Sequence, residues 1–158
     1  MKWTEGNIEG VEVREPVRHA DSRGWLIEIF RSDEMNTELT PKMGYMSVTH
    51  PGVARGPHEH RDQTDSFAFL GPGLFKVNMW DHRTASSTCG RKMTFVAGEG
   101  RPAVVTVPPG VVHGYRNVSA VDGWVVNFPN RLYAGTGKKS PVDEVRHEDG
   151  SNSDFQMD

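Results

Sequence analysis

The chain has 158 residues, the length of one domain, and its 35% hydrophobic and 25% charged composition excludes both a disordered chain and a membrane-spanning one. Its 18 lysine and arginine residues are outnumbered by 21 acidic residues and form no basic block, which argues against nucleic-acid or anionic-membrane binding. The single cysteine, Cys89, cannot form a disulfide within the chain, and the first residues lack the apolar stretch of a secretory signal, so a cytoplasmic location is expected.

Strand-like runs rich in β-branched and aromatic residues follow one another along the chain, separated by glycine and proline. Short strands are expected within about residues 1–30. The clearest runs are 25–30, 45–49, 66–70, 74–80, 92–96, 103–107 and 123–128. Gly71-Pro72-Gly73, between two of these runs, predicts a tight hairpin. Trp25, Trp80 and Trp124 lie in apolar runs and are predicted to pack in the core.

Helical signals are few. Residues 32–39 predict one short helix, with Ser32 as N-cap and an acidic first turn, that ends before Pro41. Many short strands with turn signals between them predict an all-β sandwich or barrel with one or two short helices. We therefore expect a single domain over residues 1–158, with a polar tail at about 149–158 that frays or packs against a partner.

Two separate stretches contain the residues that could carry chemistry. The first, residues 55–65, reads as a loop followed by a strand. If it is extended, His58 and His60 point to the same face, because side chains alternate along a strand, and Asp65 follows five residues after His60. In the second stretch, a Pro-Pro-Gly turn brings His113 onto the next strand. These three imidazoles and one carboxylate are candidates for proton transfer or for metal binding.

The two stretches resemble the two motifs of the cupin superfamily. The second motif, Pro-x-Gly-x-x-His-x-x-x-Asn, is matched without a gap by Pro108, Gly110, His113 and Asn117. The first motif has a histidine pair before an acidic residue, and Asp65 stands where the superfamily usually has glutamate. The resemblance implies a small, single-domain jelly-roll barrel with its site inside the barrel mouth. It leaves the reaction open, since one fold supports many chemistries.

A longer series of short motifs follows in order between residues 21 and 149. The series consists of Asp21-Ser22-Arg23-Gly24, Glu28, Arg55-Gly56-Pro57-His58, Asp81-His82-Arg83, Ser87-Thr88-Cys89-Gly90, Pro109-Gly110-Val111-Val112-His113-Gly114-Tyr115 and Asn130-Arg131-Leu132-Tyr133. It resembles the dTDP-4-dehydrorhamnose 3,5-epimerase family of deoxysugar synthesis. Residues 55–60 also resemble a segment of the dTDP-sugar 3,4-ketoisomerases, in which a histidine pair moves a proton between neighbouring carbons.

The resemblance implies an enzyme that epimerises or isomerises a nucleotide-linked 4-keto-6-deoxysugar, dTDP-linked in that family, as a homodimer without a cofactor. His58 takes the position of the base that removes a proton beside the C4 keto group. Arg55 and His113 take positions near the substrate. Arg23 and Glu28 take positions that contact the nucleotide. The resemblance to the ketoisomerases adds His60 to the proton transfer.

The chain departs from the epimerase pattern in three respects. The family has a lysine shortly after the base histidine, whereas no lysine lies between Lys42 and Lys76. The family's tyrosine, which returns a proton from the other face of the sugar, falls at Val126 or Asn127, and neither side chain donates as a phenol does. The aspartate that orients the histidine is missing or replaced. The candidates for the acid are Tyr115 and Tyr133, which are also assigned to substrate binding, and thirdly Tyr45.

Two alternatives to a cofactor-free enzyme stay open. His58, His60, Asp65 and His113 form a ligand set that suits a divalent transition metal, which would make the protein a metal-binding cupin enzyme. If Asp65 is not a ligand, it pairs with a neighbouring histidine and raises its basicity. The second alternative is a non-catalytic cupin that keeps the sugar-nucleotide pocket without the tyrosine and the lysine.

Overall fold

The computed structural model describes residues 2–148 and 154–157, which form thirteen β-strands and two 3₁₀ turns. The strands are β1 (Thr4–Glu5), β2 (Glu12–Arg14), β3 (Arg18–Asp21), β4 (Gly24–Ile27), β5 (Tyr45–Thr49), β6 (Ala54–His60), β7 (Asp65–Phe69), β8 (Leu74–Asp81), β9 (Arg91–Gly98), β10 (Ala103–Val107), β11 (Val111–Asn117), β12 (Gly123–Asn127) and β13 (Glu144–Arg146). The 3₁₀ turns are Thr37–Leu39 and Thr136–Lys138. No helix in this described part is long and apolar enough to cross a membrane.

Two sheets pack face to face and enclose the core. One sheet has the strand order β1-β9-β8-β11-β6-β13 and the other has the order β2-β10-β7-β12-β5. Alternate side chains of both sheets point inward, as in other β-sandwiches. The buried cluster between the sheets includes Phe67, Phe69, Phe75, Met79, Val105 and Val125. The predicted all-β jelly roll is confirmed.

The predicted strand runs agree well with the observed strands. The boundaries coincide for β5 and β10, and the largest difference is at β4, which ends at Ile27 although the run continues to Phe30. The predicted helix over residues 32–39 is wrong, because only Thr37–Leu39 forms a single 3₁₀ turn, capped by Asn36 instead of Ser32. That turn contains no buried residue, and so short a helix is not stable without an apolar face to pack.

The predicted hairpin at Gly71-Pro72-Gly73 is also wrong. Strand β7 belongs to the five-stranded sheet and β8 to the six-stranded sheet, so the tripeptide connects the two sheets. Gly73 has a φ of 89°, and a Cβ at this position would lie 2.4 Å from the Gly123 Cα. Glycine is therefore required by the close approach of two backbones at a corner of the sandwich.

The tryptophans and the tail depart from the simple core prediction. Trp80 is buried, but Trp25 and Trp124 are 47% and 44% exposed, so the core prediction is wrong for these two. Of the predicted polar tail, residues 149–153 and 158 lie outside the described residues. Phe155 packs against Trp3 and Trp80, with ring centroids 5.5 and 5.8 Å apart.

Candidate functional site

A cavity of about 1050 Å³ opens between the two sheets. Its walls include side chains from both sheets, among them Tyr45, Ser47, Arg55, His58, His60 and Tyr115. Pockets for small organic ligands usually measure about 300–1,000 Å³, so this cavity is large enough for one. The inner strand faces and the loop between β12 and β13 therefore form a candidate active site.

Strand β6 explains why the histidines meet. The sequence predicted a loop at its start, but Ala54–His60 is a strand throughout, so His58 and His60 share its inner face. The register between β6 and β11 sets His113 opposite His58, with the two ring centroids 4.5 Å apart. Gly56 allows this approach, because a Cβ there would lie 2.6 Å from the His113 carbonyl oxygen. The imidazoles of the two distant stretches thus share one site.

The buried carboxylate of Asp65 joins the histidines from the facing sheet. Its Oδ2 lies 3.1 Å from His60 Nε2 and 3.3 Å from His113 Nε2. Its Oδ1 accepts hydrogen bonds from Gln63 Nε2 and Asn127 Nδ2, each at 2.9 Å. Burial by itself would raise the pKa of Asp65. The His113 and His60 imidazoles outweigh this effect and lower it. Burial by itself would lower the pKa of His60. The hydrogen bond and the negative charge of Asp65 outweigh this effect, so the pKa of His60 is raised.

His58 differs from the other two imidazoles in its surroundings. Burial, together with the positive charge that His113 and His60 can carry, lowers the pKa of His58 to about 2. Strand β13 pairs with β6 and brings Glu144 Oε1 to 4.0 Å from His58 Nδ1. His58 therefore has a carboxylate near it, supplied from the C-terminal part of the chain, where the sequence assigned no replacement for the missing aspartate.

Positive charges line the same cavity. Arg55 is fixed by hydrogen bonds from Nε to Thr49 Oγ1 at 2.9 Å and from Nη2 to the Val48 carbonyl at 2.7 Å. The other cationic side chains in the lining are Arg61, Arg131, Lys138 and Arg146. Arg55 was predicted from the sequence, but the other cations were not, because they gather from loops and from β13.

The three tyrosines of the chain all line the cavity, in different settings. Tyr115 is buried, and its Oη lies 3.1 Å from Ser47 Oγ. Tyr133 follows β12 and is 54% exposed. Tyr45 extends from β5, is 46% exposed, and its hydroxyl accepts a hydrogen bond of 2.8 Å from Asn127 Nδ2. Burial raises the pKa of Tyr115 and raises the pKa of Tyr45 to about 12.

Arg23 and Glu28 lie away from this cavity in their own chain. Arg23 is in the turn of the β3–β4 hairpin, is 87% exposed, and forms an ion pair of 2.6 Å with Asp21. Glu28 follows β4, and its carboxylate lies 3.6 Å from Arg31. Neither residue is among those that line the cavity. Within the described part of one chain, the two predicted nucleotide contacts are therefore separate from the histidines.

The histidine–aspartate cluster also fits a metal ion. His58, His60, Asp65 and His113 each offer one ligand atom, and these atoms lie within 4.8 Å of one another. Among the described residues, four buried side-chain atoms have no hydrogen bond of good geometry, namely His58 Nδ1, His60 Nδ1, Asp65 Oδ2 and His113 Nε2, although the last two lie 3.3 Å apart. Imidazole and carboxylate are ligands that zinc, iron and manganese accept. A bound divalent metal would supply a Lewis acid, which stabilises negative charge on a substrate oxygen.

Several residues of the site were not found from the sequence. Asn127 and Gln63 hold Asp65, and Glu144 faces His58. The pattern Glu144-Val145-Arg146 has the alternation of a short strand, which is the one local signal that could have indicated β13. Nothing local indicates that β13 lies beside β6.

Comparison with known families and relatives gives a consistent result. The family model for dTDP-4-dehydrorhamnose 3,5-epimerase matches residues 5–135. The "probable low-salt glycan biosynthesis epimerase Agl13" of Haloferax volcanii is 40% identical over 128 residues, covering 80% of this chain and 81% of the relative. The spore coat polysaccharide biosynthesis protein SpsL of Bacillus subtilis is 32% identical over 126 residues, covering 80% of this chain and 82% of that protein.

Solved structures agree in fold. A dTDP sugar isomerase from Desulfovibrio desulfuricans G20 has a TM-score of 0.78 at 20% identity, covering 94% of this chain and 91% of that one. ChmJ, a 3'-monoepimerase from Streptomyces bikiniensis in complex with dTDP-quinovose, has a TM-score of 0.77 at 23% identity, covering 90% of this chain and 71% of ChmJ. At these identities the likeness establishes the fold, the jelly roll that the cupin motifs implied.

Proposed function

The chain belongs to the dTDP-4-dehydrorhamnose 3,5-epimerase family, and from this premise we propose that it epimerises a dTDP-linked 4-keto-6-deoxysugar in the cavity between its sheets. Relatives point to the same substrate class, since ChmJ was crystallised with dTDP-quinovose and NovW is described as a 4-keto-6-deoxy sugar epimerase. The names of Agl13 and SpsL place those two proteins in glycan and polysaccharide biosynthesis, and we propose the same role here.

The observation that best supports this function is the setting of His58. Its imidazole lines the cavity, and the Glu144 carboxylate lies 4.0 Å from its Nδ1. A histidine can remove a proton from a carbon next to a keto group, a step to which a positioned base typically contributes about 10²–10⁴-fold. We propose His58 as this base. His60, His113 and Asp65 are proposed to take part in the proton transfer with it.

The enolate formed in this step needs positive charge or hydrogen-bond donors near its oxygen. The family's lysine is absent from this stretch of the chain, but Arg55 and His60 line the same cavity. We propose that these two residues stabilise the enolate in place of the lysine. Tyr115 and Tyr133 are proposed to contact the sugar, because both line the cavity beside the histidines.

A nucleotide diphosphate carries negative charges that the cavity can match. Arg61, Arg131, Lys138 and Arg146 line it, and an arginine can bind phosphate oxygens with two parallel hydrogen bonds. We propose that this cationic part of the lining binds the pyrophosphate.

We further propose that the protein is a cytoplasmic homodimer that binds neither nucleic acid nor membrane. Arg23 and Glu28 are outside the cavity of their own chain, so a contact with the nucleotide requires them to come from a second copy. Exposed apolar side chains on the β3–β4 hairpin support such an association, because a second chain would bury them.

Proton exchange tests the proposed activity. In D₂O, the protein should place deuterium on a carbon next to the keto group of dTDP-4-keto-6-deoxyglucose and form an epimer, both followed by NMR. The variant His58→Asn should lose exchange by about 10²-fold or more while keeping the wild-type circular dichroism spectrum. His50→Asn is the matched control, because His50 is an exposed histidine bonded to Asp122 outside the cavity. Binding of the sugar nucleotide without any exchange would indicate the non-catalytic alternative.

A second candidate function, a metal-dependent cupin enzyme, is favoured by the four buried atoms that have no hydrogen bond of good geometry. His58 could not accept a proton while its lone pair holds a metal, so the two functions are mutually exclusive at this residue. We propose the cofactor-free form, in keeping with the implied family chemistry. Elemental analysis of protein never exposed to chelator separates the two: about one metal per chain, lost in His60→Ala, would establish the metal enzyme.

A further inference from the structure

Inverting a carbon requires two groups on opposite faces of the sugar. His58 rises from β6 of the six-stranded sheet, so a proton returned from the other side must come from the five-stranded sheet or from a loop at the mouth. Enzymes use tyrosine, lysine and carboxylic acids for this purpose, and the cavity lining contains all three types. The resemblance to the epimerase family implies a tyrosine. The question is which of its tyrosines faces His58.

The pairing of β12 with β5 identifies a tyrosine on the facing wall. Along β12, Asn127 is buried and contacts Asp65, so its alternating neighbour Val126 points to the outer face. In the register, Asn127 is opposite Tyr45 and Val126 is opposite Met46. Of the two positions where the resemblance expected a tyrosine, the inward one is thus occupied by asparagine, and a phenol stands directly beside it on the neighbouring strand.

The hydrogen bonds of Asn127 show that the Tyr45 proton is not used in the contact between these two residues. Asn127 Oδ1 accepts the Ser66 backbone N–H at 3.1 Å, which identifies the other side of the amide as the nitrogen. The two N–H groups of Asn127 Nδ2 donate to Asp65 Oδ1 at 2.9 Å and to Tyr45 Oη at 2.8 Å. Tyr45 is therefore an acceptor in this contact. Within residues 2–148 and 154–157 its hydroxyl has no other hydrogen-bond partner, so its own proton is available to the cavity.

We propose that Tyr45 is the general acid of the epimerisation, delivering its hydroxyl proton to the face of the sugar opposite His58. This inference rests on the proposed function. In the first step the C–H bond beside the keto group breaks, its proton goes to His58, and its electron pair forms the enolate. In the second step the enolate carbon takes the proton of Tyr45, the carbonyl forms again, and a phenolate remains on Tyr45. Proton exchange with solvent then returns His58 and Tyr45 to their starting states.

The surroundings of Tyr45 suit both halves of this step. Burial raises the pKa of Tyr45 to about 12, so the phenol keeps its proton at neutral pH. After transfer, the amide of Asn127 still donates to the oxygen, and a donor to the charged form stabilises it. The surroundings therefore keep Tyr45 protonated before the reaction, and the Asn127 amide offsets part of the cost that burial imposes on the phenolate after it.

The other two tyrosines fit the role less well. Tyr115 lies on β11, beside β6 in the same sheet as His58, and its ring packs edge-on against Phe69 and Phe75. Tyr133 is on the loop after β12 and is 54% exposed against 46% for Tyr45. The difference between them is that Asn127 holds the Tyr45 hydroxyl, whereas no described residue forms a hydrogen bond with the Tyr133 hydroxyl. Tyr45 is the tyrosine that combines the facing sheet with a fixed hydroxyl.

The test separates proton removal from proton delivery by comparing Tyr45→Phe with Tyr133→Phe. Each variant is incubated with dTDP-4-keto-6-deoxyglucose in D₂O, and NMR measures both deuterium uptake and the amount of epimer. Tyr45→Phe should still exchange, because His58 remains, but should form the epimer at least about 10²-fold more slowly than wild type. Tyr133→Phe should keep the wild-type ratio of epimer to exchange, whatever its effect on KM.

Three outcomes would overturn the inference. If Tyr45→Phe forms epimer and exchanges deuterium in the wild-type ratio, Tyr45 is not the acid. If only Tyr133→Phe loses epimer formation, Tyr133 is the acid. Wild-type protein without any exchange would overturn the proposed function as well, so the two failures are distinguishable. Circular dichroism of Tyr45→Phe shows whether the loss comes from unfolding, and the deuterium exchange that this variant retains shows whether its site is still formed.

Discussion

Glu144 is the acidic residue that β13 brings to His58. The two side chains are 19% and 16% exposed, and Arg146 Nε lies 3.3 Å from the same carboxylate oxygen. When His58 accepts a proton, its imidazolium faces Glu144 at the distance of an ion pair in a partly buried site, where attraction is stronger than in water. We therefore expect Glu144 to orient the His58 ring and to stabilise its protonated form.

The variant Glu144→Gln keeps the size of this side chain and removes its charge. It should lower kcat by up to about 10²-fold, because even small misplacement of a reacting group has an effect of that size. KM should change little, since Glu144 acts through His58. Without the Glu144 charge the His58 imidazole is harder to protonate, so the acidic limb of the pH profile of kcat should shift to lower pH, which a purely structural role would not cause. Glu12→Gln, on the exposed strand β2, is the control. Unchanged kcat in Glu144→Gln would remove Glu144 from the reaction.

How far the site could be predicted depended on distance along the chain. His58, His60, Asp65 and His113 were found because each lies in a short motif with its own spacing. Glu144 was not, because its place beside His58 depends on the pairing of β13 with β6, which brings together residues more than 80 positions apart. A sequence pattern reports which face of a strand a residue occupies, but not which strand lies next to it.

At the scale of an element, Asp81 organises the connection from β8 to β9. This fully buried carboxylate accepts hydrogen bonds from Arg83 Nε at 2.8 Å and from the hydroxyls of Ser86 and Thr88, each at 2.6 Å. Although burial opposes them, these bonds lower the pKa of Asp81. The turn between the two strands is therefore built around one charged group.

Asp81→Asn should reduce the free energy of unfolding at pH 7 by about 2–4 kcal/mol, since it removes charge-assisted bonds from a buried site. The pKa of Asp81 is lower in the folded than in the unfolded protein, where it is about 3.9. The stability that ionised Asp81 contributes is therefore fully present above the unfolded pKa and is lost as the pH falls toward the folded pKa. Urea unfolding at pH 7 and at pH 3 measures the difference, with the exposed Asp122→Asn as control. An equal loss at both pH values would contradict the assigned cause.

Element boundaries were easier to predict than element partners. Strands such as β5 and β10 follow from β-branched runs bounded by turns, and their limits agree with the sequence. Gly71-Pro72-Gly73 was mistaken for a hairpin because a turn between two strands has the same composition whether the strands pair or enter different sheets. The prediction of a short helix was wrong for a related reason, because such a helix is stable only when it packs an apolar face, and residues 37–39 bury no side chain.

At the scale of the whole molecule, the outer face of the five-stranded sheet is apolar along β5 and β12. Met46, Val48 and Trp124 are 55%, 38% and 44% exposed, and Trp124 is directly opposite Val48 in the register. Among the described strands β5 is at the edge of this sheet, so its outer side pairs with no further described strand. The β3–β4 hairpin exposes further apolar area at Trp25 and Leu26. A second copy of the chain would cover surfaces of this kind, which supports the proposed homodimer.

Trp124→Ser tests whether this outer face is the contact. Wild-type protein should have the mass of two chains in light scattering, and the variant should raise the dissociation constant of the dimer by about 10-fold or more, because buried aromatic residues dominate many interfaces. Val121→Ser, an exposed valine in the turn before β12, should leave the mass unchanged. If Arg23 and Glu28 serve the cavity of a partner, dilution of the variant should also raise KM for the sugar nucleotide. A wild-type protein that stays monomeric at high concentration would contradict the dimer, and a dimeric Trp124→Ser with wild-type affinity would assign the interface to another surface.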